Sequence, residues 1–540
     1  MRALFYLIIF TSTYVKSAQI LGIFHEKSFS HQQLGTKLLY ELAERGHDVT
    51  LLTTVIPKSQ PKNFTTIKLD MQGHSTGSNE DLFHFNNLNM FQQLSIVNAA
   101  ELIWVETLLN DTNLQKLLRS NKSFDMVIME QLGTHALKGI CHYYDAHCVM
   151  LSTMGSTPLT DVQMGNPLNP SYVPYRFLNY SSKMSFWQRL HNSFAVLVNY
   201  LFFYYGSLPQ QNVIMKKYFP NPPELSDLIY NVSLMLVNSH YSTSVLVANV
   251  PNVIEIGGYH IDPPKELPEE IQKYLDDAMD GAIYFNMGSI LQSKSIDTEK
   301  LQCILRVFTK LKQKILWKFE SNELNIKADN IKVLNWLPQK DILAHPNIRL
   351  FITHGGLLST TEALYFGVPI IGIPIFADQG LNVALAEHLG YGVAVPYSSL
   401  NEGRFEEAVN LVLNNRTFTD VALQKSKIFH DRPMKPLDTA VYWIEHCLRH
   451  NGTKHLRSAA LNYNCKLKTA ATNVLLESWP DPNQNQFTLG QHHTKKTQLE
   501  NTISELRHQR RDRLRKSPRF YALARVLAGN VITYKRYSSN

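Results

Sequence analysis

The feature that most constrains the fold is an alternation of short apolar runs with helical segments in the second half of the sequence. The runs AIYFNMG, ILWKF, IKVLNWL, RLFITH and VPIIGIP begin at residues 282, 315, 331, 349 and 368. A segment with apolar residues at helical spacing lies between the first two runs, and TTEALYFG precedes the last. Strands that alternate with helices predict a parallel sheet covered by helices on both faces.

The N-terminal half begins with the same kind of unit. A strand is predicted at 19–24, followed by a helix whose leucines recur every four residues and by a second strand at 48–54. Ser30 and Gln33 have the spacing of a capping box, so we predict that the helix begins at Ser30, with His31 in its first turn.

Two further segments complete the predicted organisation. FDMVIME at 124–130 is an apolar strand that ends in a carboxylate, and a Pro-rich stretch at 262–268 is typical of a linker. We therefore predict two Rossmann-like, doubly wound α/β domains that face a cleft at the carboxyl ends of their strands, where such folds bind ligands. The predicted divisions are a signal peptide at 1–18, an N-terminal domain at 19–261, a linker at 262–280, a C-terminal domain at 281–450 and a basic tail at 451–540.

The net charge does not indicate a nucleic-acid-binding protein. The chain of 540 residues has a formal charge of +8, but residues 466–540 alone hold 14 Lys and Arg against 5 Asp and Glu. The other 39 basic and 40 acidic residues nearly cancel. Because the body of the chain has no excess of positive charge, we expect no nucleic-acid partner.

The N-terminus predicts entry into the secretory pathway. Arg2 precedes an apolar run that ends in small residues near Ser17, as in a secretory signal peptide. The five cysteines are scattered, so neither a disulfide framework nor a metal site is predicted. Seven N-x-[ST] sequons support a lumenal location, and they begin at Asn63, Asn110, Asn121, Asn179, Asn231, Asn415 and Asn451.

One apolar segment suggests contact with a membrane. The run SFAVLVNYLFFYY at 193–205 is shorter than the roughly 20 residues needed to span a bilayer. It is rich in aromatic residues, and Lys183 and Arg189 lie just upstream. The segment fits equally a helix in the membrane interface, which would make a peripheral contact, and a helix of the protein core.

The segment Phe351–Gln379 carries the strongest chemical signal. A predicted strand ends at His354, and Gly355 and Gly356 allow backbone N–H groups to approach an anion at the start of the next helix. We expect a diphosphate there. Glu362, one turn beyond Ser359, is placed to accept hydrogen bonds from ribose hydroxyl groups.

These motifs together resemble the UDP-glycosyltransferases, and the resemblance runs from the strand at residue 19 to about residue 460. It implies a GT-B fold that binds a UDP-sugar mainly through the C-terminal domain. In this family the Trp of WLPQ stacks on uracil, which implies that role for Trp336, and Gln339 binds the edge of the base. FNMGSI resembles the loop beside the nucleotide, which implicates Gly288 and Ser289.

The resemblance also assigns the donor sugar and a catalytic base. Asp378 and Gln379 match the acidic and amide pair that holds hydroxyl groups of the sugar. His31 is the residue we expect to act as general base, with His25 as the competitor. The positive end of the helix dipole should keep its ring neutral, so that it can take a proton from an acceptor hydroxyl. A single displacement would invert the anomeric configuration, and no metal would be needed if backbone amides and His354 balance the diphosphate charge.

The sequence departs from the family pattern in two site positions and in the tail. Glu130 stands where the family has an Asp that orients the catalytic His. Two roles fit Glu130 equally well: it is the partner of His31, or it is a solvated carboxylate at the end of a strand. Leu358 stands where many relatives have an Asn. Where relatives continue into a membrane anchor, this chain continues at 466–540 with a polar, Arg-rich sequence, for which we expect disorder or loose helix.

These observations predict an enzyme that glycosylates small lipophilic acceptors in the endoplasmic reticulum lumen, as in detoxification. The aromatic residues at 172–177 and near Tyr200 predict an apolar acceptor pocket. By analogy with relatives that carry THGGLLST the donor is UDP-glucose, with UDP-glucuronate left open. The alternative is a non-catalytic carrier of nucleotide sugars or lipophiles with the same fold.

Overall fold

The first half of the chain forms a parallel sheet whose strand order reverses at its centre. The computed structural model describes residues 17–71, 82, 83, 85, 88–321, 326 and 328–462. The strands of this sheet are β1 Gln19–Phe24, β2 Asp48–Thr53, β3 Phe64–Lys68, β4 Met126–Glu130, β5 His147–Ser152, β6 Leu234–Val237 and β7 Val253–Glu255. They lie in the order β3-β2-β1-β4-β5-β6-β7. The reversal between β1 and β4 leaves a crevice at their carboxyl ends.

The second half repeats this design. Its strands are β8 Ala282–Asn286, β9 Lys314–Lys318, β10 Ile331–Leu334, β11 Ile348–Thr353, β12 Ile370–Gly372 and β13 Gly392–Ala394. They are parallel and lie in the order β10-β9-β8-β11-β12-β13. The order reverses between β8 and β11, so this sheet has an equivalent crevice. The prediction of two doubly wound α/β domains is confirmed.

Helices cover both faces of each sheet. Those of the first half are α1 Phe29–Glu44, α2 Met90–Leu109, α3 Thr112–Leu118, α4 Lys138–Tyr143, α5 Pro158–Met164, α6 Phe186–Phe202, α7 Leu208–Tyr218 and α8 Leu225–Leu228. Those of the second half are α9 Glu269–Asp276, α10 Thr298–Phe308, α11 Gln339–Leu343, α12 Leu357–Tyr365, α13 Gln379–Leu389, α14 Glu402–Asn414, α15 Thr417–His430 and α16 Pro436–Arg449.

The strands are apolar throughout because both of their faces are buried. In β1, Leu21 and Ile23 belong to one core cluster, whereas Ile20 and Phe24 belong to the cluster on the opposite face. This alternation follows from the two-residue period of a strand, and it explains why the sequence shows continuous apolar runs.

The start of α1 differs from the predicted capping box. The helix begins at Phe29 after Ser28, which has extended backbone geometry and makes no capping hydrogen bond with its side chain. Ser30 already lies in the first turn, so its predicted role as the cap is wrong, whereas the placement of His31 in that turn is confirmed. Gln32 anchors the turn instead, since its Nε2 donates to the carbonyl of Phe24 at 2.9 Å and its Oε1 accepts from Thr53 at 2.6 Å.

Two segments differ from the domain limits expected from the sequence. The stretch assigned to the linker contains α9, whose Ile271 and Leu275 are buried in a core cluster of the second half. The last helix, α16, lies in sequence within the expected second domain, but its Ala440 and Ile444 join the core cluster of the first sheet with Leu34 of α1. The chain therefore returns to the first domain after completing the second.

Several predicted segments lie wholly or partly outside the described residues. They are the signal peptide, apart from its last two residues, and the basic tail from residue 463, with Cys465. The apolar run 193–205 is described, and it lies in α6 and the π-helical turn Phe203–Ser207. In the described ranges, every helix is too short or too polar to cross a bilayer.

Candidate active site

Loops at the two points of strand reversal carry most of the predicted site residues. In the first sheet, β1 leads into the turn before His31, and β4 ends at Glu130. In the second sheet, Gly288 follows β8, and His354 begins the loop after β11. Residues far apart in sequence therefore meet because they follow neighbouring strands.

The structure brings His31 and Glu130 into direct contact. Nδ1 of His31 is hydrogen-bonded to Oε1 of Glu130, and the hydroxyl of Thr153 donates to the same oxygen at 2.7 Å. The side chain of Glu130 is fully buried, and that of His31 is 18% exposed. Because Nδ1 is engaged, Nε2 is the ring nitrogen left to accept a proton. Thr153, which follows β5, was not predicted from the sequence.

The pKa of His31 shifts in the direction opposite to the sequence-based expectation. Burial lowers the pKa of His31, but the charge and hydrogen bond of Glu130, helped by Glu26, outweigh burial and raise it above its ordinary value. Burial raises the pKa of Glu130, but His31 and Thr153 outweigh it, and this pKa is lowered. The carboxylate of Glu130 therefore opposes the expected effect of the helix dipole on this pKa, because a carboxylate in contact acts more strongly than a helix end.

His25 is the weaker candidate for a base. It is buried, and its ring packs edge-on against Trp104 with centroids 6.5 Å apart. Neither ring nitrogen has a hydrogen-bond partner within the described part of the chain. Burial lowers the pKa of His25, and Glu130 raises it too little to compensate. An enclosed ring of this kind is poorly placed to receive a proton from an acceptor.

In the second domain, two glycines make room for His354. A Cβ atom on Gly356 would lie 2.5 Å from Nε2 of His354, and one on Gly288 would lie 2.7 Å from its Cε1. Gly288 also has a φ of +99°, which favours glycine. Burial and the charge of Lys318 lower the pKa of His354 to about 4, so the ring is neutral near pH 7.

The loop after His354 presents the N-terminus of α12. Gly355 has a φ of +84°, and Gly356 is the N-cap residue with extended geometry. The first backbone N–H groups of a helix have no partner within it, and they attract anions. Ser359 lies in this first turn and is buried. The structure thus confirms that a helix begins directly after the two glycines, and the binding of a phosphate there stays a prediction.

Gln339, Ser359 and Glu362 form one hydrogen-bonded network. Nε2 of Gln339 donates to Oε2 of Glu362 at 2.7 Å and to the Ser359 hydroxyl at 3.2 Å. Oε1 of Gln339 accepts from Asn286 at 2.7 Å, and His260 lies 3.2 Å from Glu362. Neither Asn286 nor His260 was predicted: Asn286 lies in the FNMGSI motif, of which only Gly288 and Ser289 were singled out, and His260 lies outside the recognised motifs.

Trp336 offers an open aromatic face. Its side chain is 61% exposed, and Phe29, the first residue of α1, packs edge-on against it with centroids 5.6 Å apart. The ammonium group of Lys318 lies 5.9 Å from the ring. It also donates to the carbonyl of Gly288 at 2.8 Å, which ties the end of β9 to the glycine loop. Ser289, the next residue of that loop, is exposed.

Asp378 and Gln379 begin α13 at the mouth of the crevice. Gln379 Oε1 accepts from the backbone of Ile375 at 2.8 Å, and Asp378 accepts from Asn382 at 3.1 Å. Burial raises the pKa of Asp378, although Asn382, Arg176 and His31 each lower it. Asp378 in turn raises the pKa of His31. The two domains thus place a carboxylate and an imidazole close enough to interact electrostatically.

Leu358, the position that departs from the family pattern, has a packing role. Its side chain is partly buried against the core cluster of the first sheet, although it belongs to α12 of the second domain. This apolar contact holds the N-terminus of α12 beside the domain that carries His31. An Asn at this position would place an amide against that apolar surface.

The first domain contains a cavity of about 70 Å³ beneath α6. Its lining includes Glu101, Tyr175, Arg176, Phe177, Phe202 and Phe203. Burial raises the pKa of Glu101 to about 7, although Arg176 opposes the shift. The aromatic segments expected to form an apolar pocket therefore do line one cavity, together with an acidic and a basic group.

Comparisons with known proteins agree with this architecture. A family model described as UDP-glucoronosyl and UDP-glucosyl transferase matches residues 12–465. UDP-glucosyltransferase 2 of Dactylopius coccus is 35% identical over 464 residues, which cover 85% of this chain and 88% of that protein. UDP-glucuronosyltransferase 2B10 of Homo sapiens is 30% identical over 456 residues, which cover 79% of this chain and 84% of that protein.

Solved structures show the same fold at lower identity. The calicheamicin glycosyltransferase CalG4 superposes with a TM-score of 0.54 at 16% identity, covering 81% of this chain and 99% of that one. The similarity in sequence and fold therefore spans both sheets and the loops that carry the site.

Proposed function

The chain belongs to the UDP-glucuronosyl and UDP-glucosyl transferase family and has the GT-B fold, and from this premise we propose that it transfers glucose from UDP-glucose to a hydroxyl group of a small lipophilic acceptor, with inversion. The observation that carries the proposal is the His31–Glu130 pair, which lies within electrostatic reach of Asp378 on the other domain. A base in one domain and sugar-binding groups in the other are what such a transfer needs.

The proposed step is a single displacement. Nε2 of His31 takes the proton of the acceptor hydroxyl while its oxygen attacks the anomeric carbon. The bond from that carbon to the β-phosphate oxygen breaks, and its electron pair leaves with UDP. Glu130 stabilises the imidazolium that forms, because it accepts a hydrogen bond from Nδ1. Attack opposite the leaving group inverts the anomeric configuration.

The donor is proposed to bind along the second domain. Trp336 offers an exposed indole face on which uracil can stack. The N-terminus of α12 would receive the diphosphate, and the neutral ring of His354 beside it can donate a hydrogen bond. Asp378 and Gln379 would hold sugar hydroxyl groups. We propose that the backbone amides of the α12 N-terminus and His354 balance the diphosphate charge without a metal ion.

Glucose is favoured over glucuronate by the comparison with relatives. The insect UDP-glucosyltransferase is 35% identical, and the human UDP-glucuronosyltransferase is 30% identical. The acceptor is proposed to enter the aromatic cavity of the first domain, where Tyr175, Phe177 and Phe203 would contact an apolar ring. Conjugation of lipophilic compounds, as in detoxification, follows from this choice of acceptor.

Release of UDP with a panel of donors and acceptors tests the proposal. UDP-glucose and UDP-glucuronate would each be supplied with simple phenols and aliphatic alcohols. The anomeric configuration of any product would be read from its NMR coupling constants. We expect UDP release with UDP-glucose and a phenol, and a β-glucoside as product. A product that retains the α configuration would contradict the single displacement.

The alternative is a carrier that binds a nucleotide sugar without transferring it. It was suggested by Glu130 and Leu358, which depart from the family pattern. Glu130 contacts His31, and Leu358 fills an apolar contact between domains, so both positions are compatible with turnover. Donor binding without UDP release for every acceptor in the panel would favour the carrier.

We further propose that the protein works in the lumen of the endoplasmic reticulum. The asparagine of each of the seven sequons is exposed, as a glycan acceptor must be. Digestion with an endoglycosidase, in sealed and in opened microsomes, tests this location. A glycan-dependent shift in mobility, with protection from protease only in sealed microsomes, is the expected result.

A further inference from the structure

Helix α6 presents an exposed apolar stripe to solvent. Six of its large apolar side chains, together with Tyr205 of the following π-helical turn, are between 40% and 73% exposed. Six of these residues recur at intervals of three and four, and Trp187 adjoins the first of them, so all seven lie on one broad face of the helix. They are Phe186, Trp187, Leu190, Phe194, Leu197, Leu201 and Tyr205.

The opposite face of α6 is fixed to the protein. Asn192 is fully buried, and its amide donates to the carbonyls of Pro170 at 2.7 Å and Val173 at 2.8 Å. Its oxygen accepts from the backbone of Tyr175 at 2.6 Å. Ala195 is buried on the same face. Because these contacts hold the inner face, the helix cannot rotate to bury the stripe.

The surrounding charges select one kind of partner. No Asp or Glu occurs in residues 162–223, whereas five Lys and Arg do. Lys216 and Lys217 pair with Glu224 and Glu106, so the basic groups next to the stripe are Lys183 and Arg189. An apolar face on a segment that carries basic residues and no acidic ones complements an anionic lipid surface.

We propose that the apolar stripe of α6 docks this domain onto the surface of a bilayer that contains anionic lipids. The helix of 17 residues would lie in the plane of the interface. Trp187 and Tyr205, at the two ends of the stripe, are residue types that favour the headgroup level. The inner face of α6 lines the aromatic cavity through Asn199 and Phe202, so a lipophilic compound dissolved in the membrane would lie close to that cavity.

Flotation of the full chain with lipid vesicles tests this inference independently of catalysis. The vesicles would consist of phosphatidylcholine, with or without phosphatidylserine. A stripe variant would combine Trp187→Gln, Leu190→Gln and Phe194→Gln. A control variant would carry three changes at exposed apolar residues elsewhere, Leu246→Gln, Met279→Gln and Leu411→Gln. UDP binding by both variants would show that the fold is retained.

We expect the unchanged chain and the control to float with phosphatidylserine vesicles, and the stripe variant to lose at least about tenfold in partitioning. Changing both Lys183 and Arg189 to Gln should weaken partitioning about fivefold for each charge removed. Equal flotation of the stripe variant and the control would overturn the inference, because another segment would then be responsible. It would also be overturned if the unchanged chain stayed free of vesicles and sedimented as a dimer that the stripe variant abolished.

Discussion

Nδ1 of His31 and Oε1 of Glu130 are hydrogen-bonded although 99 positions separate the two residues in the sequence. His31 follows β1, and Glu130 is the last residue of β4. Because these two strands are adjacent and parallel, the two residues lie at the same edge of the sheet. The resemblance implied an Asp at this position, and the structure shows that the longer Glu side chain also contacts the imidazole. The contact raises the pKa of the imidazole and engages its Nδ1, which leaves Nε2 for the proposed proton transfer.

Removing either member of the pair should abolish most of the turnover. We expect His31→Ala and Glu130→Gln each to lower kcat by about 10²- to 10⁴-fold, since general base catalysis and orientation of the ring are lost. The dissociation constant for UDP should stay within about twofold, because neither residue lies in the domain proposed to bind the nucleotide. Calorimetric titration with UDP and steady-state rates would check both. Full turnover in His31→Ala would transfer the base role to another group, with His25 tested next.

The pH dependence should follow the pKa of His31. Only the neutral ring can accept a proton, so kcat/KM should rise as the pH increases through that pKa. Because Glu130 raises it above the ordinary value of 6.5, the rising limb should lie above pH 6.5. In Glu130→Gln the carboxylate charge is lost, so burial becomes the dominant effect and lowers the pKa of His31. The residual kcat/KM should therefore rise at a lower pH than in the native protein. A limb at the same pH in both proteins would mean that another group titrates.

Trp336→Ala should weaken nucleotide binding. Stacking of a base on an aromatic ring is worth about 1–3 kcal/mol by alanine substitution, or roughly a 5- to 150-fold rise in the dissociation constant for UDP. Trp336→Phe should retain most of the affinity. Phe29→Ala is the control for the contact between domains, since it removes the ring that packs against Trp336 but should leave UDP affinity within about twofold. If Phe29→Ala were as costly, the indole would matter for domain contact rather than for uracil.

Gly356→Ala should disturb the diphosphate site. Its Cβ would lie 2.5 Å from Nε2 of His354, so the ring must move away from the N-terminus of α12. We expect the dissociation constant for UDP to rise at least about tenfold, because an overpacked contact displaces the ring and the loop together. Gly403→Ala is the matched control, as its Cβ would meet only Asn401 Oδ1 at 3.7 Å. Similar UDP affinity in both variants would show that the loop accommodates a methyl group.

Glu101 should make acceptor binding depend on pH. Its pKa is raised to about 7, so the carboxyl group is neutral below and charged above that pH. A charged group in the cavity disfavours an apolar ring, so the KM for a neutral lipophilic acceptor should increase severalfold between pH 6 and pH 8. In Glu101→Gln the KM should change little over that range. An unchanged KM in the native protein would place the acceptor outside this cavity.

Local sequence patterns predicted many strands of the two sheets but missed others. The strands that run continuously apolar, such as β1 and β11, were predicted within two residues. Short strands such as β13, of three residues, carry too little pattern to distinguish them from loops. The capping box at Ser30 failed because the anchor of the first turn is Gln32, which bonds to the neighbouring strands β1 and β2. Asn286 and Lys318 escaped notice because the contacts that link them to the site, with Gln339 and with Gly288, join segments far apart in sequence.

The sequence by itself determined the alternation of strands and helices, the motifs that mark the family and the residue types available to a sugar donor. These features depend on the spacing of residues that are close together in sequence, so they can be predicted from the sequence alone. Only the tertiary structure decided that Glu130 reaches His31, that the pKa of this histidine is raised rather than lowered, and that α16 returns to the first domain. Such outcomes depend on distances between segments far apart in the chain, because electrostatic and packing energies are set by separation in space.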